Sequence, residues 1–348
     1  MILKLTDLFP EISVSALGRE LDVARFTQKR VAIIGGAGSI GSEVLLTLLG
    51  EGALNIEIWD CDESRMHTLH LSLPQKFQAS VKSRLVDIRI GASIALAFKK
   101  YKPQVVIHAA ALKHVSILER QPLEAYLTNV VGTALITREI MRNDFVEHSL
   151  FISSDKAANP VNILGKTKLI GEYMWSYANR AHQSNTVWSV VRFGNVFLSR
   201  GSVVETFLSQ IQKGEAITIT HPSMTRYFLD LSEAARMICY ILTNDVEGIS
   251  ILKMGSPIKI DDLANRLMDY LGKRTQPSYI GVKEGEKISE DLFAEYELNS
   301  VLDNGSFFNI PFQFFLDPNP ICLTTPTDDE SALQEISTLF KHFEGNGT

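Results

Sequence analysis

Between residues 30 and 193, short apolar runs alternate with longer stretches in which apolar positions recur every three or four residues. The short runs, at 30–35, 55–60, 83–87, 104–109, 149–153 and 187–193, read as strands. Most are β-branched and lack polar alternation, as expected where both faces of a sheet are covered. The amphipathic stretches, near 40–50, 64–72, 92–101, 122–142 and 163–182, read as helices. Six strands interleaved with five helices predict an α/β fold, a doubly wound parallel sheet of Rossmann type.

The rhythm breaks after Gly194. Residues 196 to 230 mix short helical and extended pieces, followed by a helix at 232–244, a strand at 249–254 and a helix at 260–271. The pattern predicts four regions. A lead-in covers 1–28 and the dinucleotide-binding domain 29–195. A smaller substrate lobe occupies most of 196–300, with a strand and a helix returning to the sheet, and 301–348 is a C-terminal extension. Aromatic residues crowd that extension (Phe307, Phe308, Phe312, Phe314 and Phe315, around Pro311) and are expected to pack against the second lobe or a neighbouring subunit.

Composition narrows the function. The 348 residues carry a net charge of −6, so no general basic surface invites nucleic acid or an anionic membrane. An anionic ligand must be met by local cations and backbone amides. Cys61, Cys239 and Cys322 are far apart, which argues against a disulfide framework or a zinc site, and no metal is expected. Met1 to Asp7 lack the basic start and apolar core of a signal peptide. No window approaches the roughly eighteen apolar residues of a membrane span, so a cytoplasmic protein is expected.

The first strand runs into Gly35, Gly38 and Gly41, a Gly-x-x-Gly-x-x-Gly turn that opens a helix. Gly35 permits the tight turn, Gly38 lets backbone approach a pyrophosphate, and Gly41 lets the helix pack close to the sheet. The amides of Ser39 and Ile40 face the anion. Asp60 ends the second strand nineteen residues beyond Gly41, where a carboxylate accepts the ribose hydroxyls of a dinucleotide. Its charge favours NAD over NADP, whereas Arg65 one turn later offsets that preference, so both cofactors stay open. Asp87 and Ile88, ending the third strand, are expected to border the adenine. Ala109 and Ala110, at the end of the fourth, leave room for the cofactor backbone. His108 beside them reads as a structural histidine.

Several further motifs fall in order: Gly-Ala-Gly-Ser-Ile-Gly-Ser-Glu at 36–43, His-Ala-Ala-Ala-Leu-Lys-His-Val at 108–115 and Ser-Asp-Lys-Ala-Ala-Asn-Pro-Val-Asn at 154–162. They continue with Arg-Phe-Gly-Asn-Val at 192–196, Ser-Arg-Gly-Ser-Val-Val at 199–204, Thr-His-Pro-Ser-Met-Thr-Arg-Tyr-Phe at 220–228 and Gly-Glu-Lys at 285–287. Over most of residues 30 to 300 the chain thus resembles the extended short-chain dehydrogenases. It looks most like the nucleotide-sugar 4,6-dehydratases that act on UDP-N-acetylglucosamine in capsule and flagellin-glycan synthesis. Leu17 to Glu20 also resemble the lead-in of the large capsule-type dehydratases, whose membrane-embedded half is not expected here.

The resemblance implies a tightly bound, recycled NAD or NADP, a UDP-N-acetylhexosamine substrate, a homo-oligomer and no nucleic-acid partner. It implies internal redox: oxidation at C4, loss of water across C5–C6, and return of the hydride to C6. The family offers a hydroxyl and a Tyr-x-x-x-Lys pair. Here Ser154 stands where threonine is usual, Lys168 keeps the ribose-holding position, and Leu164 stands where relatives have tyrosine or methionine. Leucine cannot move a proton. The resemblance therefore directs the proton chemistry to Asp155, as acceptor of the C4 proton and donor to the departing C6 hydroxyl, and to Lys156, as base at C5. It implies that Lys113, Asn195, Arg200, Arg226 and Lys287 meet the UDP-sugar. Taken alone, Ser154 and Asp155 read as an ordinary helix cap. A 4-epimerase of the same fold and a non-catalytic dinucleotide-binding protein are the competing readings. Leu164 and the lead-in favour retention at C5 over inversion.

Overall fold

The computed structural model describes residues 3–12, 23–181, 185–312 and 323–344. The lead-in motif at 17–20, Phe314, Phe315, Cys322 and the end of the 163–182 helix lie outside the described residues.

The six expected strands form at β1 (Val31–Ile34), β2 (Ile56–Asp60), β3 (Val81–Leu85), β4 (Val105–His108), β5 (His148–Ile152) and β6 (Val187–Arg192). They pair in parallel in the order β3-β2-β1-β4-β5-β6, the doubly wound order. The third strand sits two residues earlier than expected, so Asp87 and Ile88 follow it rather than end it. It is an edge strand whose middle residues face solvent, and its apolar signal is correspondingly weak.

The crossover helices are α1 (Ser39–Gly50), α2 (Glu63–Ser72), α3 (Gly91–Tyr101), α4 (Gly132–Met141) and α5 (Ile163–Ala181). The expected 122–142 helix is broken by a π-helical turn at Tyr126–Val131. That turn aims Asn129 at the loop after β4, where its side chain accepts from Leu112 N at 2.9 Å and donates to Leu112 O at 3.0 Å. It also donates to Thr167 on α5 at 3.1 Å. The irregularity therefore ties the β4 loop to the helix carrying Leu164 and Lys168, a common use of π turns near functional sites.

The sheet continues past β6. β7 (Gly248–Leu252) adds in parallel, β9 (Phe307–Ile310) pairs antiparallel with β7, and β8 (Leu302–Asp303) closes the edge. This corrects the expectation for the aromatic tail. Its described aromatics enter the main sheet and core: Phe307 packs at 5.9 Å on Tyr240, while Phe308, on the opposite face, meets Phe293 at 5.2 Å. Strand alternation distributes neighbouring phenylalanines to two faces. Phe312 is buried in the core cluster that holds one face of α5.

The second lobe is built on α6 (Val203–Lys213) and α8 (Ile260–Leu271), with short strand pairs Ile217–Ile219/Pro277–Tyr279 and Thr225–Arg226/Ile258–Lys259. Between them α7 (Leu231–Thr243) returns to pack on the sheet beside α1. Residues of the lead-in fill the lobe's core: Leu5, Leu8, Phe9 and Ile12 are buried there, and Arg266 on α8 donates to Leu8 O at 2.6 Å. Among the described residues no helix is long and apolar enough to cross a membrane, and no metal-ligating cluster forms.

Candidate active site

The turn after β1 is shaped by what a side chain would strike. Gly35 has φ +79°, and a Cβ there would come within 2.5 Å of Ala110 N. A Cβ at Gly41 would overlap the Gly35 carbonyl oxygen. The two glycines therefore bring α1 against the turn and the turn against the end of β4. Gly38 caps α1 without a side-chain bond, and the amides of Ser39, Ile40 and Gly41 have no intrahelical acceptor. Asp60 Oδ2 accepts from Ala37 N at 3.0 Å and Oδ1 from Asp62 N at 3.1 Å, which pins the carboxylate behind the turn. This cradle fits a dinucleotide: an open helix start for the pyrophosphate and a fixed carboxylate for ribose hydroxyls.

Above the turn lies a cleft of about 720 Å³, bounded by the ends of β1, β4, β5 and β6 and by residues 199–203. Gly35, Gly38, Ser39, Ile40, Gly41 and Ala109 line it on the side of the turn. Lys113, Asn195 and Arg200 also line it, and Ser154, Lys156, Leu164 and Lys168, from the turn after β5 and from α5, form its floor. Arg200 arches over the turn, donating through Nη2 to Ala37 O at 3.2 Å, and Lys113 Nζ donates to Arg200 O at 2.7 Å. Arg65 also lines the cleft and pairs with Asp62 at 2.9 Å.

Other expected residues lie outside the cleft lining. Ala110 backs Gly35, and Ile88 is buried against Gly132. Asp87 is gripped by Arg89 at 2.7 Å, which holds its carboxyl below the usual range. Arg226 is buried and donates to the carbonyls of Thr225 at 2.7 Å, Lys287 at 2.8 Å and Ile288 at 3.1 Å. Lys287 Nζ bonds Asp291 at 2.7 Å and Asn159 O at 3.3 Å. Both of these cations are engaged by protein groups.

Strand β5 delivers the central cluster. Ser154 caps the single 3₁₀ turn Asp155–Ala157, its Oγ accepting from Lys156 N. The same hydroxyl donates to Asp155 Oδ1 at 3.0 Å, and Lys156 Nζ donates to that oxygen at 2.9 Å. Asp155 is 1% exposed and lies beneath the floor, so Ser154 and Lys156 are its links to the cleft. Asp155 Oδ2 has no hydrogen-bond partner among the described residues, and a Cβ at Gly194 would come within 3.2 Å of it. Lys168 Nζ donates to Ile152 O at 2.7 Å and rests 4.6 Å over the Phe151 ring. Burial pulls its pKa down to about 7. Leu164 lies one turn earlier on the same face of α5. His108 is fully buried against Thr133 at 3.0 Å, with its pKa pushed well down by burial, and is structural as expected.

Two features escape a reading by sequence. Arg192 is fully buried between Glu172 and Glu297, with contacts of 2.6 and 2.9 Å, and Ser153 donates to Glu172. The 192–196 motif marked the position but not the partners, which lie on α5 and on the distant 3₁₀ helix Glu295–Ser300. Glu290, three residues beyond the Gly-Glu-Lys motif, brings Oε1 to 3.7 Å from Lys156 Nζ. Nothing at 285–287 announces it.

Residues 31–311 match the family model described as "Polysaccharide biosynthesis protein". The Bacillus subtilis "Probable polysaccharide biosynthesis protein EpsC" is 36% identical over 79% of this chain, and the chain spans about half of its length (47%). A Rickettsia canadensis protein named UDP-glucose 4-epimerase is 33% identical over 82% of this chain and 84% of its own. Among solved structures, Pen from Bacillus thuringiensis superposes with a TM-score of 0.77 at 32% identity, covering 82% of this chain and 89% of that one.

Proposed function

The chain belongs to the polysaccharide biosynthesis protein family of extended short-chain dehydrogenases, and from that premise we propose that it is a nucleotide-sugar 4,6-dehydratase. Its substrate is UDP-N-acetylglucosamine and its product a UDP-4-keto-6-deoxy-N-acetylhexosamine for surface-glycan synthesis. The carrying observation is the cluster in which Ser154 and Lys156, both on the cleft floor, share one oxygen of buried Asp155 beside an inert Leu164. With no phenol at position 164, this arrangement supplies a proton path that does not pass through Leu164.

The chemistry that a bound NAD or NADP supplies is acceptance of the C4 hydride and its return to C6. The glycine turn and α1 hold the pyrophosphate, Asp60 takes the adenosine ribose and Lys168 the nicotinamide ribose. Arg200, Lys113 and Asn195 meet the diphosphate and sugar; Arg200's planar fork suits a phosphate group. Because Asp155 lies below the floor, the C4 hydroxyl proton reaches it through Ser154: the serine hydroxyl gives its proton to Oδ1 and takes the one from C4. The resulting C4 ketone acidifies C5. Lys156 removes the C5 proton, and Asp155 returns its proton through the same hydroxyl to the C6 oxygen, which leaves as water. Lys156 then gives its proton back to C5 as C6 is reduced. Lys156 enters this cycle as the free amine, an N–H of which donates to Asp155 Oδ1, so the one proton it takes from C5 is the one it later returns.

The branch indicated by Leu164 is retention at C5. Turnover in deuterated water tests the scheme: a product with a C6 methyl group, deuterium at C5 and the couplings of the xylo configuration supports it. Inverted couplings at C5 place the chain in the other branch. The second reading, a 4-epimerase, is favoured by the Rickettsia relative; it gives a product with an intact C6 hydroxyl and no deuterium at C5.

A further inference from the structure

Arg226 and Lys287 hold a loop, and that loop carries Glu290. On one side Arg226 bonds the carbonyls of Lys287 and Ile288, while Thr225 N donates to Ile288 O at 2.9 Å and its hydroxyl meets Ser289 at 2.8 Å. On the other, Lys287 and Asn159 share Asp291, and Asn162 donates to Gly285 O at 2.8 Å. Asn159 and Asn162 belong to the same 154–162 motif as Lys156. The clasp therefore joins the second lobe to the catalytic turn and fixes what stands between them.

Between them stands a carboxylate that packing alone does not explain. Glu290 is 6% exposed, its Oε1 lies 3.7 Å from Lys156 Nζ and 4.0 Å from Arg226 Nη2, and Oε2 is buried without a partner among the described residues. Leaving such an oxygen unpaired is costly, so its retention needs a reason beyond packing. The charged groups facing it are Lys156, Asp155, Arg226 and Lys287; Tyr227 faces Asp155 from the second lobe.

We propose that Glu290 is a positioning residue for Lys156, a second carboxylate that, with Asp155, seats the ammonium and fixes its reach into the cleft, and that the Arg226–Lys287 clasp serves to present it. The inference rests on the dehydratase reading for its catalytic meaning. In that scheme, the C5–H bond breaks, its electron pair enters the enolate of the C4 ketone, and the proton forms an N–H bond on Lys156. The new ammonium arises while Asp155 is protonated and neutral. Glu290 is then the carboxylate left to hold it.

The test is the rate at which acetic anhydride acylates Lys156 in the full-length protein at fixed pH, read by peptide mass spectrometry against exposed Lys82. Only the free amine reacts, and Glu290→Gln keeps the shape while removing the charge. The expected result is labelling faster by roughly threefold to tenfold, because losing the carboxylate charge leaves more of Lys156 as free amine. An unchanged rate in a folded Glu290→Gln protein overturns the proposal. Should that variant fail to fold, Lys287→Met, which loosens the clasp, must accelerate labelling in the same direction, and no acceleration overturns it equally. Turnover is read alongside: kcat falls at least about tenfold with KM and UDP binding unchanged. A wild-type protein that removes no water from the sugar refutes the dehydratase reading, while the labelling still decides the seat of Lys156.

Discussion

Lys156 Nζ and Asp155 Oδ1 stand 2.9 Å apart, and the Ser154 hydroxyl donates to that same oxygen. One buried atom thus couples an amine and a hydroxyl that both line the cleft. Asp155→Asn preserves the shape but cannot accept the proton. It should lower net turnover by about two to four orders of magnitude while the dinucleotide stays bound, as read by its absorbance in the purified protein. Near-normal water loss by this variant would remove Asp155 from the proton path.

Lys168 carries a sign that can be worked out. Its folded pKa is about 7, against an ordinary 10.5. Between those values the unfolded chain holds a proton that the folded chain has released, so stability rises with pH across that window. Below about 7 both states are protonated and the full penalty applies. Lys168→Met should therefore stabilise the dinucleotide-free protein at or below neutral pH by roughly 2–4 kcal/mol, after allowing for the lost bond to Ile152 O. Denaturant melts across pH check this, and the same variant should bind dinucleotide poorly. A destabilised variant at neutral pH contradicts the argument.

Arg192 is buried between two carboxylates on other elements. Arg192→Met leaves Glu172 and Glu297 facing each other without a cation. The expected cost is about 3–5 kcal/mol, measured by urea unfolding. A loss below about 1 kcal/mol would mean that the carboxylates protonate at little cost.

Leu164 fills apolar space at the cleft floor and has no proton to move. Leu164→Met should leave kcat within about a factor of two, because the volume is nearly conserved and the proton path does not pass through it. A tenfold change in kcat, measured at saturating substrate, would give position 164 a chemical role.

The Rossmann half was readable because two-sided burial writes β-branched runs into the sequence, and the glycine turn adds a steric demand that few other structures share. The edge strand at Val81–Leu85 slipped because solvent on its middle residues dilutes that signal. The π turn at Tyr126–Val131 left no trace in the apolar pattern, since Leu123, Tyr126, Leu127, Val130 and Val131 also satisfy a regular helical period. Ser154, Lys156 and Lys168 sit together in the cleft as their motifs implied. The resemblance of their segments points Arg226 and Lys287 toward the UDP-sugar. Not legible are the backbone carbonyls and the aspartate that these side chains meet, brought close only by the fold. Glu290 was invisible for the same reason: its meaning depends on a lysine 134 residues away in sequence and 3.7 Å away in space.

The most direct measurement is a mass spectrum of UDP-N-acetylglucosamine after incubation with the purified protein and its bound dinucleotide. The account predicts a nucleotide sugar lighter by one water, formed without net consumption of NAD or NADP. An unchanged mass, whether C4 has been inverted or the sugar is untouched, would contradict it.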